Sequence, residues 1–224
     1  MKEKKLIIVG VGETGQLAYE YFTHDSEYDI VSFAVERDFL IENIFLDLPV
    51  IPLEEICKIY PPDNFYVFIA ISSTKFNRVR TRLYQYCKTL GYTAASYVSS
   101  KSFVWHNVEI GENCFILEDN TLQPFVKIKN NVTLWSGNHI GHRSVIHDNC
   151  FITSHVVISG FCEIKQNCFI GVNSTIADNV IIAEDCLISL GSVVSKNTES
   201  NSIYKGNPAI KHSLSAKTFF SINE

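Results

Sequence analysis

From residue 105 to residue 194 an aliphatic side chain recurs at every sixth position. Cut after each one, the chain reads WHNVEI, GENCFI, LEDNTL, QPFVKI, KNNVTL, WSGNHI, GHRSVI, HDNCFI, TSHVVI, SGFCEI, KQNCFI, GVNSTI, ADNVII, AEDCLI, SLGSVV. The sixth place is Ile, Leu or Val throughout, and the fourth is Val, Cys, Ser or Asn. Two weaker blocks, TAASYV and SSKSFV, lead in from residue 93. A helix cannot carry this rhythm, because six residues would turn each aliphatic about 120° away from the last. The period predicts a parallel β-helix. Each block supplies a short strand and a tight turn, three blocks close a triangular coil of 18 residues, and stacked coils lie about 4.8 Å apart. Block-end aliphatics fill the prism, the small fourth residue also points inward, and the other positions face out. Asn, Asp and Gly crowd the expected turns, as at Gly111-Glu112-Asn113, Asp148-Asn149, Asp178-Asn179 and Glu184-Asp185. Five coils form a self-supporting stack.

The first ninety residues follow another pattern. "KKLIIVGVGETGQLAYEYF" reads strand, glycine turn, helix, with Gly10, Gly12 and Gly15 in a G-x-G-x-x-G. A second strand, residues 29–35, ends at Glu36. "LPVIPLEEI", the strand "FYVFIAIS" and a helix predicted over "KFNRVRTRLYQYCKTLG" follow, with Gly91 as its C-cap. Alternating strands and helices predict a small parallel α/β, Rossmann-like domain over residues 1–95, with the coils and a C-terminal tail over 96–224. Read alone, the glycine turn and an acid about twenty residues on favour NAD, the acid binding a ribose hydroxyl. The domain is nevertheless half of a full dinucleotide-binding sheet, and a glycine turn can serve strand-to-helix packing alone.

Composition narrows the partners. The chain has 224 residues, is 46% hydrophobic and 19% charged, and carries a net charge of -5. This describes a soluble globular protein and gives no reason to expect nucleic acid or an anionic membrane. No apolar run approaches the roughly 18 residues of a membrane span. The N-terminus reads as a first strand and not a signal peptide, which makes the cytoplasm the default location. The seven cysteines form no CxxC, and five of them (Cys114, Cys150, Cys162, Cys168, Cys186) sit two places before a block-end aliphatic. They read as reduced, small core residues.

Three of the seven histidines fall in "WSGNHIGHRSVIHDNCFI". His139 is the fifth residue of its block and His142 the second of the next. Both positions face outward, flanking one corner of the prism, so neither is a core histidine. His155 follows Gly137 by three blocks, which stacks it one coil above. A metal site from His139, His142 and His155 would lack a carboxylate or thiolate partner. His147 occupies a turn, and His24, His106 and His212 carry no pattern.

The blocks resemble the hexapeptide-repeat acyltransferases, whose repeats form a left-handed β-helix, and "YKGNPAI" at 204–210 resembles the segment that ends that helix. With a short Rossmann-like domain in front, the whole chain is similar to the sialic-acid O-acetyltransferase-like family, which includes N-acetyltransferases of bacillosamine, perosamine and related nucleotide-linked 4-amino sugars. The resemblance implies an acetyl-CoA-dependent enzyme, with no metal, that acts as a homotrimer on a UDP- or dTDP-linked 4-amino-4,6-dideoxy sugar for O-antigen or another surface glycan. GDP is not distinguished from these two. It places the diphosphate on Gly10, Gly12, Glu13, Thr14 and Gly15, the nucleoside by Glu36 and Arg37, and Ser72, Ser73 and Asn77 nearby. The family's "E-H-D-C" aligns with "G-H-R-S", which makes His142 the base. His139 would then be a second member of the catalytic site. The acid that orients the base in the family is absent here, so Glu118, Asp119 or Asn138 would have to fix the tautomer. Coenzyme A would run between adjacent prisms along His155, Gly160, Gly171, Ser189 and Gly191, with Lys205 or Lys211 at its phosphates. The rival readings are an O-acetyltransferase on a sialic-acid-like hydroxyl, an inactive sugar-binding scaffold, and an NAD-binding sensor.

Overall fold

The computed structural model describes residues 2–222. The chain divides into two units. One comprises Met1–Thr74 with Val79–Tyr97, and the other comprises Lys75–Arg78 with Val98–Glu224.

The first unit is built on β1 (Lys4–Val9), α1 (Glu13–His24), β2 (Tyr28–Val35), the short β3 (Ile44–Phe45), β4 (Leu48–Pro52), α2 (Ile56–Ile59), β5 (Phe65–Ile69) and α3 (Arg78–Thr89). The sheet order is β3-β4-β2-β1-β5. The central pairs are parallel, and β3 turns back antiparallel on β4. Leu6, Ile7, Ile8 and Val9 are all buried, as a strand covered on both faces requires. The predicted last helix starts later than its sequence pattern, at Arg78 and not at Lys75. Lys75, Phe76 and Asn77 hold φ of 49°, 53° and 66°, three successive left-handed residues. L-residues resist that conformation by roughly 1–2 kcal/mol each, so the helix cannot start until Arg78.

The second unit is the left-handed parallel β-helix. Each block closes on a two-residue strand, and each strand pairs with its counterparts one coil away, as in Thr121↔His139↔Val157. Three sheets form the prism faces, parallel throughout the coils, with one antiparallel pair, Tyr204↔Lys211, added after the last coil. The block-end aliphatics from Ile116 to Val194 stack inside it in one cluster. The third residue of every block from Asn113 to Gly191 has positive φ, which explains why Asn, Asp and Gly dominate there. The fourth residue does more than fill a narrow corner. Its donor caps a backbone carbonyl in the next coil: Asn120 on Trp135, Ser144 on Ser159, Ser174 on Ser189. The thiols of Cys114, Cys150, Cys162 and Cys168 do the same at 3.0–3.1 Å. The cysteines are thus small and weakly donating, and all are free. Among the described residues, no helix is long and apolar enough to cross a membrane.

Candidate active site

His142 stands at the centre of a grid on one prism corner. Gln123, Pro124 and Phe125 lie one coil before it, Ser159, Gly160 and Phe161 one coil after, and Gly141 and Arg143 beside it. The coil ladder holds the grid: Arg143 N–H donates to the Pro124 carbonyl (3.1 Å), and Phe161 N–H donates to the His142 carbonyl (2.9 Å). The imidazole is exposed. It lies over Gly160, where an added Cβ would sit 2.6 Å from its Cε1. Its edge meets the Phe161 ring at 4.9 Å and 81°.

The group that orients the ring is Gln123. Its Oε1 accepts from the His142 backbone N–H (2.9 Å) and lies 3.3 Å from Nδ1. A proton on Nδ1 satisfies that oxygen and leaves Nε2 as the lone pair. This corrects the expectation from sequence. Glu118 instead accepts from Ser136 (2.6 Å), the Asn138 amide bonds Trp135 and Val156, and Asp119 sits at the turn of another corner. The hexad count carries a signal for Gln123, which opens the block one coil before Gly141 and so lies diagonal to His142.

The same corner carries uncommon backbone. Phe125, Arg143 and Phe161, stacked on successive coils, hold φ of 67°, 60° and 57°. Apart from His155, the other corners use Asn, Asp or Gly at this place. Bulky residues rarely accept this region, and such strain concentrates at functional sites. The Arg143 guanidinium lies 4.4 Å from the centre of the Phe125 ring.

The other histidines separate. His139 is a half-buried strand residue between Thr121 and Val157. His155, with φ 57°, packs on Gly137 one coil below, whose missing Cβ would otherwise lie 2.5 Å from its Nδ1. His147 pairs with Glu163 (2.7 Å), whose carboxyl Lys165 first and His147 second hold below the usual range. Among the described residues no three potential ligands converge on a metal position.

Of the residues expected along coenzyme A, Gly160 serves the His142 ring, and Gly171 has no room for a Cβ against the Leu190 backbone. Ser189 uses its carbonyl to accept from Ser174. Gly191, with φ 66°, faces open space. Lys205 is exposed, whereas Lys211 is paired with Glu199. A cavity of about 420 Å³ after the last block is lined by Val194, Lys196, Tyr204 and Pro208. Lys196 is a further cation there that no sequence motif marks.

In the first unit each glycine of the turn has a distinct reason. Gly10 (φ 121°) lies against the Ala70 carbonyl, and Gly15 lets α1 approach the Gly10 carbonyl. Nothing lies within 4 Å of where a Gly12 side chain would start, so the backbone before α1 stands open. Glu13 is exposed and Thr14 half-buried there. Two expected contacts are already occupied. Both oxygens of Glu36 accept from Arg82 (2.7 and 2.8 Å), which holds its carboxyl below the usual range, and Arg37 pairs with Glu55. Ser72 bonds Thr74, and Ser73 is half-buried in the same segment. Asn77 belongs to the second unit, where it is buried and its Nδ2 donates to the Asn149 carbonyl (2.6 Å). A cavity of about 220 Å³ lies beside Val11, lined by Val35, Phe39, Glu42 and Phe45.

Fold and repeats together define a Rossmann-like unit joined to a hexapeptide-repeat β-helix. Residues 125–160 match the model described as bacterial transferase hexapeptide (six repeats). Among solved structures, the chain is similar to the acetyltransferase domain of PglB from Neisseria gonorrhoeae (19% identity, TM-score 0.83, covering 93% of this chain and 100% of that one). It is also similar to PerB from Caulobacter crescentus, determined with CoA and GDP-perosamine (17%, 0.82, 93% and 97%), and to WeeI from Acinetobacter baumannii (21%, 0.70, 93% and 100%). No curated protein sequence matches the chain.

Proposed function

We propose that the chain is an acetyl-CoA-dependent N-acetyltransferase acting on a nucleotide-linked 4-amino-4,6-dideoxy sugar, in the synthesis of a surface glycan. The observation that carries this reading is the exposed His142 imidazole, with Nδ1 turned to Gln123 and Nε2 left as a base. The likeness to structures described as acetyltransferases, and to one holding CoA and GDP-perosamine, supports it.

In the reaction, His142 Nε2 removes a proton from the sugar amine as its nitrogen attacks the thioester carbonyl. The resulting imidazolium returns the proton to the departing coenzyme A sulfur, so charge and protons balance. His139 contributes from the adjoining strand. A backbone N–H of the coils holds the oxyanion. Coenzyme A runs along His155, Gly160, Gly171, Ser189 and Gly191, with Lys205 and Lys196 at its phosphates. Gly12 offers open backbone and Glu13, Thr14 and Gly15 the helix start to a diphosphate, with Gly10 shaping the turn before them and Ser72 and Ser73 nearby. The enzyme works in the cytoplasm as a homotrimer. Exposed Phe125, Val157, Phe161, Val172 and Leu190 give the coils an apolar surface for that contact.

A coupled assay of coenzyme A release, run with amino-sugar nucleotides and with sialic-acid-like hydroxyl acceptors, tests the reading. Turnover of an amino sugar that collapses in His142→Ala is expected. Turnover of hydroxyl acceptors alone, or full activity in His142→Ala, overturns it.

A further inference from the structure

The cavity beside the glycine turn has a chemistry of its own. Val11, which lies between the first two glycines, and Val35, at the end of β2, line it together with Phe39 and Phe45. Phe45 is fixed edge-on against buried Phe33 at 5.0 Å. Phe39 is 66% exposed and so has an aromatic face to offer. An apolar slot with aromatic rings fits a flat heteroaromatic ring better than a sugar. One charged group lines this slot: Glu42, exposed, with no hydrogen bond or ion pair among the described residues. Three nearby glutamates differ in this respect: Glu36 and Glu55 hold the Arg82 and Arg37 guanidinium groups, and Glu54 accepts from the Arg37 backbone N–H.

Resting on the reading of the glycine turn as a diphosphate site, we propose that this slot takes the base of the sugar nucleotide and that Glu42 selects guanine. An ionised carboxylate only accepts hydrogen bonds, and its two oxygens match two adjacent donors. Guanine presents that pair on its Watson–Crick edge, N1–H beside the N2 amino group. Uracil and thymine offer a single N3–H between two carbonyl oxygens, which would face the carboxylate with like charge. Adenine and cytosine offer one amino group beside an acceptor nitrogen. The expected partner is therefore a GDP-linked sugar and not a UDP- or dTDP-linked one.

Calorimetric titration of the full chain with GDP, IDP, UDP and dTDP tests this. Inosine lacks only the N2 amino group, so IDP removes one of the two hydrogen bonds without any change to the protein. GDP is expected to bind at least tenfold more tightly than IDP, UDP or dTDP. Glu42→Gln is expected to bring GDP to the level of IDP. Equal binding of GDP and IDP, tighter binding of UDP or dTDP, or an unchanged GDP-to-IDP ratio in Glu42→Gln overturns the guanine assignment while leaving the nucleotide site standing. Failure of every diphosphate to bind overturns both.

Discussion

The Gln123 side-chain oxygen holds His142 twice, once at its backbone N–H and once at its ring Nδ1. One acceptor therefore sets both where the ring begins and which way it turns. It is an amide, so it orients the imidazole without adding negative charge.

That neutrality predicts opposite outcomes for two substitutions. Gln123→Leu should lower kcat about tenfold or more, with KM for both substrates little changed. Gln123→Glu should keep the orientation but stabilise the imidazolium, so the acid limb of the pH–rate profile should move to higher pH. A pH profile of kcat/KM separates them. Identical profiles for Gln123→Glu and the parent chain would remove Gln123 from this role.

Glycines 141 and 160 should fail in different ways. A Cβ at Gly160 meets the flexible His142 ring, so Gly160→Ala should leave the melting temperature nearly unchanged while costing up to about 100-fold in kcat through a displaced base. A Cβ at Gly141 meets the Ser159 carbonyl carbon at 2.4 Å, which is backbone. Gly141→Ala should destabilise by on the order of 1–3 kcal/mol. Thermal melts beside steady-state kinetics distinguish the two.

Phe161 couples strain to the site. Phe161→Asn should relieve its left-handed backbone by about 1 kcal/mol, and also remove the ring against His142. A higher melting temperature with lower kcat is expected. A simultaneous fall in both would mean that the ring contributes mainly to packing.

Cys87 gives the first unit an alkaline limit. Burial first, and the neighbouring Cys57 thiol second, push its pKa up to about 12 from 9.0. The folded state keeps the thiol protonated while the unfolded chain loses the proton near 9.0. Its contribution is thus complete below about pH 9 and falls away between about 9 and 12. Urea unfolding of the parent chain and Cys87→Ala at pH 8 and 10.5 should show a steeper loss in the parent.

The coils were legible because one constraint repeats: an aliphatic that slips by one place would leave the prism, and none does. The outward position of His142 was legible for the same reason, and only the resemblance of G-H-R-S to the family's motif set it apart from His139. The partner of His142 was not legible. Glu118, Asp119 and Asn138 were the expected orienting groups, whereas coil stacking brings the Gln123 amide, diagonal on the coil before, to the ring. Glu36 was placed correctly at the end of β2, but its bond to Arg82 depends on how α3 packs. The left-handed Lys75-Phe76-Asn77 segment carries no glycine to announce it. Its side chains hold it from elsewhere, with Phe76 stacked on Phe220 at 4.5 Å and Asn77 on the Asn149 carbonyl.

Strand pairing at a constant offset of one coil has an evolutionary corollary. Gain or loss of a whole coil beyond the His142 corner would lengthen or shorten the column while every remaining rung kept its partner. An insertion of one or two blocks would carry every later strand to another face, and one that is not a multiple of six would turn the aliphatics above it out of the prism. Natural variation in length among such chains should therefore arrive in quanta of one full circuit, with the chemistry left in place on the rungs that do not change.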